Sequence, residues 1–244
     1  MSIDVALSRS VPRTADAVAH PVAASGPVPR ALGLSRVALA AHGFEGKRGQ
    51  VLVVPTGEGA TQIAIGIGDA ATLDVAALRN AAAQAVRAAG SRTSLATSLA
   101  DLPGVEAGAA AQAVTEGALL AAYRYHGLKN DPPKATLQTV TLVVGEARSS
   151  KAAAGVARGQ ATSAAAALAR DLANTPPAHL MPRHIAERAV AVAAEAGLTV
   201  EVFNKDQLQA MGCGGMIGVN RGSTEPPRRP SPRARCSPPT ATTA

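Results

Sequence analysis

The character of the sequence changes abruptly at Arg229, and this change limits what the end of the chain can fold into. Residues 171 to 228 combine regularly spaced aliphatic side chains with capping residues and turn glycines. Residues 229 to 244 contain no Leu, Ile, Val or Phe and include four prolines. Such a segment cannot form a central strand, because proline lacks a backbone donor, and it cannot fill a core. We therefore predict a disordered tail over residues 229–244, aberrant for the fold that precedes it.

Local signals define the elements before this break. Pro176-Pro177 ends a long alanine-rich helix, because proline cannot donate a backbone hydrogen bond and restricts the residue before it. Apolar residues at helical spacing predict a helix over 182–196, with Gly197 placed to end it. Alternating side chains over 198–202 predict a strand.

A capping motif and a glycine-rich stretch come next. Asn204 can cap a short helix, with Gln207 three residues later as in a capping box, and Gly212 closes that helix. Within residues 213–223, a short buried strand is predicted by Met216, Ile217 and Val219.

The order of these motifs resembles the leucyl aminopeptidase family, also called the cytosol aminopeptidase family. The resemblance covers most of residues 30 to 228. The motifs that carry it are Asn174-Thr175-Pro176-Pro177, Gly197-Leu198-Thr199-Val200-Glu201-Val202, Met211-Gly212-Cys213-Gly214-Gly215-Met216 and Gly222-Ser223-Thr224-Glu225-Pro226-Pro227-Arg228. Upstream, the segments similar to the family's amino-terminal domain are Gly66-Ile67-Gly68-Asp69, Leu78-Arg79-Asn80-Ala81-Ala82 and Glu116-Gly117-Ala118-Leu119-Leu120-Ala121-Ala122-Tyr123.

The resemblance implies a two-metal exopeptidase, a hydrolase that releases amino-terminal residues, leucine preferred, from peptide substrates. It also implies two divalent ions, manganese or zinc, and a homo-hexamer. In the family the metal ligands come from a Lys-Gly segment leading into Asp-Ser-Gly-Gly and from Asn-Thr-Asp-Ala-Glu-Gly-Arg, both downstream of Gly-Ser-x-x-Pro-Pro-Arg. Neither string occurs in these 244 residues. We therefore assign no catalytic, cofactor-binding or metal-binding residue, and we expect this chain to be inactive and to hold no cofactor.

The acidic residues after residue 150 do not cluster in the sequence, as a two-metal centre would require. They are Asp171, Glu187, Glu195, Glu201, Asp206 and Glu225. The break at Arg229 falls where the resemblance implies an apolar strand. Our hypothesis is a shifted reading frame near residue 229 that truncates the peptidase. The alternative is a native disordered terminus, which resequencing with an uninterrupted frame would support.

Upstream, short apolar runs alternate with helical patterns, which favours an α/β fold with a mainly parallel or mixed sheet. Strands are predicted at 37–39, 51–54, 63–67 and 140–144, and a helix capped by Thr72 follows the third. The resemblance implies that this region is a macro-domain-like α/β/α sandwich, followed by the incomplete start of an α/β peptidase domain. The predicted organisation is a poorly ordered leader over 1–30 with a strand near Asp4-Val5-Ala6-Leu7, the amino-terminal domain over 31–150, a linking helix over 151–173, the incomplete peptidase domain over 174–228 and the tail over 229–244.

The net charge of +7 does not by itself indicate nucleic-acid binding. Four arginines lie after residue 227 with no acidic residue after them, and without these four the charge falls to +3. Aromatic residues make up only 2% of the chain, which leaves almost no surface for stacking on bases. Nucleic acid is therefore an unlikely partner. The alternative function that we keep is a non-catalytic α/β module that binds a nucleotide-like ligand, a partner protein or DNA.

Targeting and redox signals are equally sparse. No secretory signal is visible at the start, and no apolar run reaches the roughly 18 residues of a membrane span. Only Cys213 and Cys236 are present, far apart, so neither a disulfide framework nor a zinc site is indicated. We expect a cytoplasmic protein without a membrane partner.

Three features have both a functional and a structural interpretation. Gly66-Ile67-Gly68-Asp69 follows a strand and could cradle a phosphate, but it lacks the third glycine of a dinucleotide fingerprint, so a tight turn is favoured. The histidines lack the spacing of a zinc helix, and His179 and His184 straddle a predicted helix start, so surface or capping roles are favoured. Cys213 has no nearby His or Lys to activate it, so packing is favoured.

Overall fold

The computed structural model describes residues 3–54, 56, 59–131, 136–223 and 229–233, the last range by its backbone alone. The chain forms two compact units, Met1–Ala169 (unit 1) and Arg170–Ala244 (unit 2). Unit 1 contains a six-stranded sheet, and unit 2 contains a two-stranded sheet.

The sheet of unit 1 is mainly parallel. Its strands are β1 (Asp4–Ser8), β2 (Ala17–Ala23), β3 (Val51–Val54), β4 (Thr61–Gly68), β5 (Ser94–Thr97) and β6 (Thr139–Val143). Their spatial order is β1-β6-β5-β2-β4-β3, and only the pair β3 and β4 is antiparallel. Parallel neighbours require crossover connections, which here contain helices. This architecture confirms the predicted α/β class.

Four helices accompany this sheet: α1 (Arg36–Ala41), α2 (Val75–Ala89), α3 (Ala107–Ala122) and α4 (Glu146–Asn174). Successive residues of β4 point to opposite faces of the sheet and join different apolar clusters. Ile63 and Ile65 pack in the cluster that contains Leu78 of α2, whereas Ala64 packs in a second cluster with Leu39 of α1. Helical segments therefore cover both faces of this strand.

Residues 1–30, which the sequence predicted to be a poorly ordered leader, contain two strands of the sheet. The strand near Asp4 is confirmed as β1, but β2 was missed. In β2, residues on both faces are buried, so the alternating pattern of a half-exposed strand is absent. Pro21 fits because β5 pairs only with residues 17–19, so that Pro21 faces a single neighbouring strand, β4.

Two local predictions in unit 1 are wrong. Residues 37–39 form part of α1 rather than a strand, because the side chain of Ser35 accepts a hydrogen bond from the Ala38 backbone N–H and starts a helix. Asp74, not Thr72, caps α2, with its carboxylate accepting from the Ala77 N–H at 2.7 Å.

The long helix α4 packs closely against α3 through glycines. A Cβ at Gly155 would lie 2.1 Å from the backbone oxygen of Gly108, and one at Gly159 would lie 2.8 Å from the Cβ of Thr115. Only glycine permits this approach at these two positions. The helix in the region of the predicted linking helix, 151–173, begins at Glu146 and ends at Asn174.

Unit 2 contains α5 (Pro182–Ala196), β7 (Thr199–Phe203), α6 (Lys205–Ala210), α7 (Gly214–Val219) and β8 (Arg229–Arg233). The helix over 182–196 and the Asn204 capping box are confirmed. The buried strand predicted from Met216, Ile217 and Val219 is wrong, because these residues lie in α7 and Val219 is 91% exposed.

The predicted disorder of residues 229–244 is wrong for Arg229–Arg233, which pair antiparallel with β7. Backbone N–H and C=O groups of alternate residues point to the same side of a strand. With prolines at 230 and 232, the residues whose N–H and C=O groups face β7 are 229, 231 and 233. The missing N–H groups then fall on the outer edge, where a strand tolerates proline. Residues 234–244 lie outside the described part of the chain. No described helix is long and apolar enough to cross a membrane.

Candidate functional site

The two glycines at the end of β4 are used for backbone packing. A Cβ at Gly66 would lie 2.0 Å from the backbone oxygen of Lys47, and the Gly68 N–H donates to the Gly46 oxygen at 2.8 Å. The segment before β3 therefore occupies the space beside these glycines. Asp69 caps the short 3-10 helix that follows, accepting from the Ala71 N–H at 3.0 Å.

Three of the histidines lie in separate places and have local partners. The Nε2 atom of His20 lies 2.7 Å from Oε1 of Gln62 on the neighbouring strand. Nδ1 of His184 accepts a hydrogen bond from the Met181 N–H at 3.1 Å, which is the capping role expected at the start of α5. The backbone N–H of His179 donates to Pro176 in the preceding corner.

That corner ends α4. The Thr175 hydroxyl donates to the backbone oxygen of Asp171 at 2.7 Å, and the Thr175 N–H donates to the same oxygen at 3.0 Å. The two prolines that follow cannot continue the helix. The Asn174-Thr175-Pro176-Pro177 motif thus forms a structural corner in this chain.

The acidic residues after residue 150 do not converge within the described residues. Glu187, Glu195, Glu201 and Asp206 are all exposed and lie on three different elements of unit 2. Glu225 lies outside the described residues. No group of three or more His, Cys, Asp or Glu side chains that could hold a metal ion occurs in the described ranges. The described carboxylates of unit 2 therefore do not form the cluster that a two-metal centre requires.

Cys213 stands between α6 and α7 as a half-buried free thiol. Its backbone N–H donates to the Leu208 oxygen at 3.0 Å, which closes the turn after α6. Cys236 lies outside the described residues.

A buried carboxylate in unit 1 was missed by the sequence analysis. Glu116 on α3 is 8% exposed, and its Oε2 accepts hydrogen bonds from Nε of Arg79 at 2.8 Å and from Nη2 of the same residue at 2.7 Å. Its Oε1 accepts from Gln112 at 2.9 Å and from the Thr162 hydroxyl at 2.8 Å. The single carboxylate therefore joins α2, α3 and α4.

Burial opposes ionisation of this carboxylate, but the hydrogen bonds from Gln112, Thr162 and Arg79 outweigh it and lower the pKa of Glu116. Both of its oxygens are occupied, so Glu116 is a structural anion rather than a free base. The available sequence signal was one acid among the small apolar residues of α3.

The two units match the two parts of one family. Residues 29–132 match the sequence model for the cytosol aminopeptidase family, N-terminal domain, and residues 167–230 match that for the cytosol aminopeptidase family, catalytic domain. A probable cytosol aminopeptidase of Rhodococcus erythropolis is 38% identical over 198 residues, which is 78% of this chain and 38% of the relative. One of Mycobacterium ulcerans is 41% identical over 155 residues, or 62% of this chain and 29% of the relative. The chain thus spans about a third of the length of these curated relatives.

Comparison with solved structures agrees with the comparison of sequences. The bottromycin maturation enzyme BotP is 35% identical with a TM-score of 0.74, covering 88% of this chain and 45% of BotP. A mutant of tomato leucine aminopeptidase shares the fold at a TM-score of 0.77 and 19% identity, covering 93% of this chain and 49% of the tomato chain. With both domain models matched in order and the fold shared, the chain belongs to the cytosol aminopeptidase family.

Proposed function

We propose that this protein derives from a metal-dependent aminopeptidase that removes amino-terminal residues, preferably leucine, from peptides. The proposal rests on the match of residues 167–230 to the catalytic domain of the family. The intact enzyme would use two divalent ions, manganese or zinc, to generate the attacking hydroxide and polarise the scissile carbonyl. A solved structure of BotP is described as a complex with Mn, which supports manganese.

We further propose that residues 1–244 alone do not hydrolyse peptides and do not hold the metal pair. The sequence lacks both ligand segments of the family, and the described carboxylates of unit 2 are exposed and dispersed. No step of the reaction is therefore assigned to a residue of this chain. A cytoplasmic location and a homo-hexamer are proposed for the intact enzyme from the family alone.

The test compares two proteins in hydrolysis of leucine p-nitroanilide with added manganese. One is the 244-residue chain. The other is a fusion in which the sequence of the Rhodococcus erythropolis relative continues the chain after Arg228. A second fusion, in which the aspartate of the Asp-Ser-Gly-Gly segment is replaced by alanine, is the matched control.

We expect turnover in the fusion and none in the 244-residue chain or the aspartate variant. Turnover by the 244-residue chain itself would contradict the assignment of inactivity, and metal ligands would then have to be sought among its own residues. A folded fusion that binds manganese but does not cleave the substrate would contradict the proposed specificity for leucine.

A further inference from the structure

Three segments of unit 1 meet at the edge where the parallel strands β2, β4 and β5 begin. They enclose an open cleft of about 620 Å³. The side chains that matter for its chemistry are Arg13, Asp16, Thr61, Ser91, Arg92 and Thr93. A cavity of this size is in the range that accommodates a small-molecule ligand. Gly66 and Gly68 lie at the opposite end of β4.

Among the described residues, the two arginines of the cleft have no carboxylate partner. Nη2 of Arg92 donates to the Thr61 hydroxyl at 2.9 Å, which leaves the rest of its guanidinium group for other contacts. Neither Arg13 nor Arg92 forms an ion pair with a described carboxylate, although Asp16 lines the same cleft. Two exposed guanidinium groups therefore border one concave surface.

Asp16 forms no ion pair with these arginines, because its carboxylate accepts hydrogen bonds from other donors. Its Oδ2 accepts from the Thr93 hydroxyl at 2.5 Å, from the Thr93 N–H at 3.0 Å and from the Ser94 N–H at 3.1 Å. The hydrogen bond from the Thr93 side chain is the main cause that lowers the pKa of Asp16. Asp16 thus ties the start of β2 to the start of β5 and fixes the cleft's shape.

We propose that this cleft binds a small anion that carries a phosphate group. Arg13 and Arg92 supply the positive charge, and the hydroxyls of Thr61 and Ser91 supply further donors. Guanidinium groups match phosphate oxygens through paired N–H donors, and added hydroxyls suit a tetrahedral group with more acceptors than a carboxylate has. Two described guanidinium groups line this cleft, fewer than the basic stripe expected of a nucleic-acid surface, which favours a small molecule.

Titration of the ¹⁵N-labelled 244-residue chain, followed by two-dimensional NMR at fixed ionic strength, tests this proposal. The probes are inorganic phosphate and adenosine monophosphate, with acetate as the carboxylate control. We expect saturable shifts confined to the backbone amides of residues 13–16 and 91–94. Tighter binding of the nucleotide would assign the site to phosphomonoesters, and equal binding would assign it to the free ion.

Substitutions distinguish specific binding of phosphate by the cleft from attraction by the net charge of the protein. Arg13→Gln should weaken phosphate binding at least about tenfold, as expected when a charge-assisted contact is lost. Arg13 makes no described hydrogen bond, so this variant should keep its fold. Arg92→Lys keeps the charge but not the paired donors and should also weaken binding. Arg30→Gln is the control, since Arg30 is exposed and follows the opposite end of β2.

The proposal is overturned by the absence of saturable shifts with either phosphate probe. It is also overturned if Arg30→Gln weakens binding as much as Arg13→Gln does, because binding would then follow net charge alone. Acetate bound as tightly as phosphate would overturn the assignment of the phosphate group.

Discussion

In unit 1, the 15-residue helix α2 buries seven of its side chains, whereas in unit 2 the 15-residue helix α5 buries two. Both helices carry an apolar stripe, and both end at a glycine. The seven buried residues of α2 include Leu78 and Val86, while those of α5 are Ala186 and Ala193. The same local pattern is therefore satisfied by tertiary packing in one unit and mostly left exposed to solvent in the other.

The same difference in burial is found in the other elements of the two units. The core of unit 1 contains long aliphatic side chains from strands and helices together, including Ile63, Leu95 and Leu142. Among the described residues of unit 2, the buried hydrophobic side chains are Ala186, Ala193 and Leu208. Burial supplies most of the stability of a helix in a protein, since isolated helices of this length are marginal in water. Unit 1 should therefore be stable, and unit 2 should open locally at little cost.

The largest expected effect comes from removing a core side chain of unit 1. Leu78→Ala should lower the free energy of unfolding by about 2–5 kcal/mol, because Leu78 is fully buried in α2 and its loss leaves a cavity. The control is Val75→Ala in the same helix, where the side chain is 40% exposed and the change should stay within about 0.5 kcal/mol. Urea unfolding followed by circular dichroism measures both. Equal effects would show that α2 is not packed as described.

A smaller effect with opposite signs in the two units is expected from glycine substitutions. Gly155→Ala should destabilise unit 1 by about 1–3 kcal/mol, because the added Cβ would strike the backbone of Gly108. Gly218→Ala in α7 meets open space and should raise the helix content of unit 2, by about 1 kcal/mol in helix propensity. Urea unfolding and helical circular dichroism of both variants test this. A destabilising Gly218→Ala would mean that α7 is packed against something.

The smallest effect comes from the buried carboxylate. Glu116→Gln should cost unit 1 about 1 kcal/mol at neutral pH, since Arg79 loses its partner but remains 41% exposed to water. The folded pKa of Glu116 lies below its ordinary value of 4.5. Its contribution is therefore present above pH 4.5 and is lost as the pH falls through the folded pKa.

The stability of the unaltered chain should accordingly decline in acid more steeply than that of Glu116→Gln. Thermal unfolding from pH 7 down to about pH 3 measures this slope. Glu195→Gln, a change at an exposed acid of α5, should leave the slope as it is. Parallel slopes for Glu116→Gln and the unaltered chain would mean that Glu116 is not ionised within a network.

The same contrast explains which elements the sequence could predict. Unit 2 is governed by local signals, so Pro182, Gly197 and the Asn204 capping box predicted α5 and α6 correctly. The prediction failed at Met216 to Val219, where apolar composition indicated burial but no partner surface is present in the described residues. Apolar composition alone does not distinguish a buried strand from a short exposed helix.

In unit 1 the sequence predictions failed for the opposite reason, because contacts between distant residues decide the structure there. β2 has no alternating pattern because both of its faces are buried, and its proline is tolerated only because β5 is short. The hydrogen bonds of Glu116 with Arg79 and Thr162, and the cleft between Arg13 and Arg92, join residues more than 30 positions apart. Such contacts depend on strand order, which the sequence pattern does not specify. The family motifs were predictable because they are contiguous.

Hydrogen exchange along the whole 244-residue chain tests the contrast between the units most directly. Amides exchange at a rate set by the free energy of the opening that exposes them. We predict slow exchange for the amides of β4, β5, α2 and α3, and fast exchange for those of α5, α6 and α7. Protection of α5 to the same degree as α2 would contradict the account, because it would show that unit 2 has a core of its own.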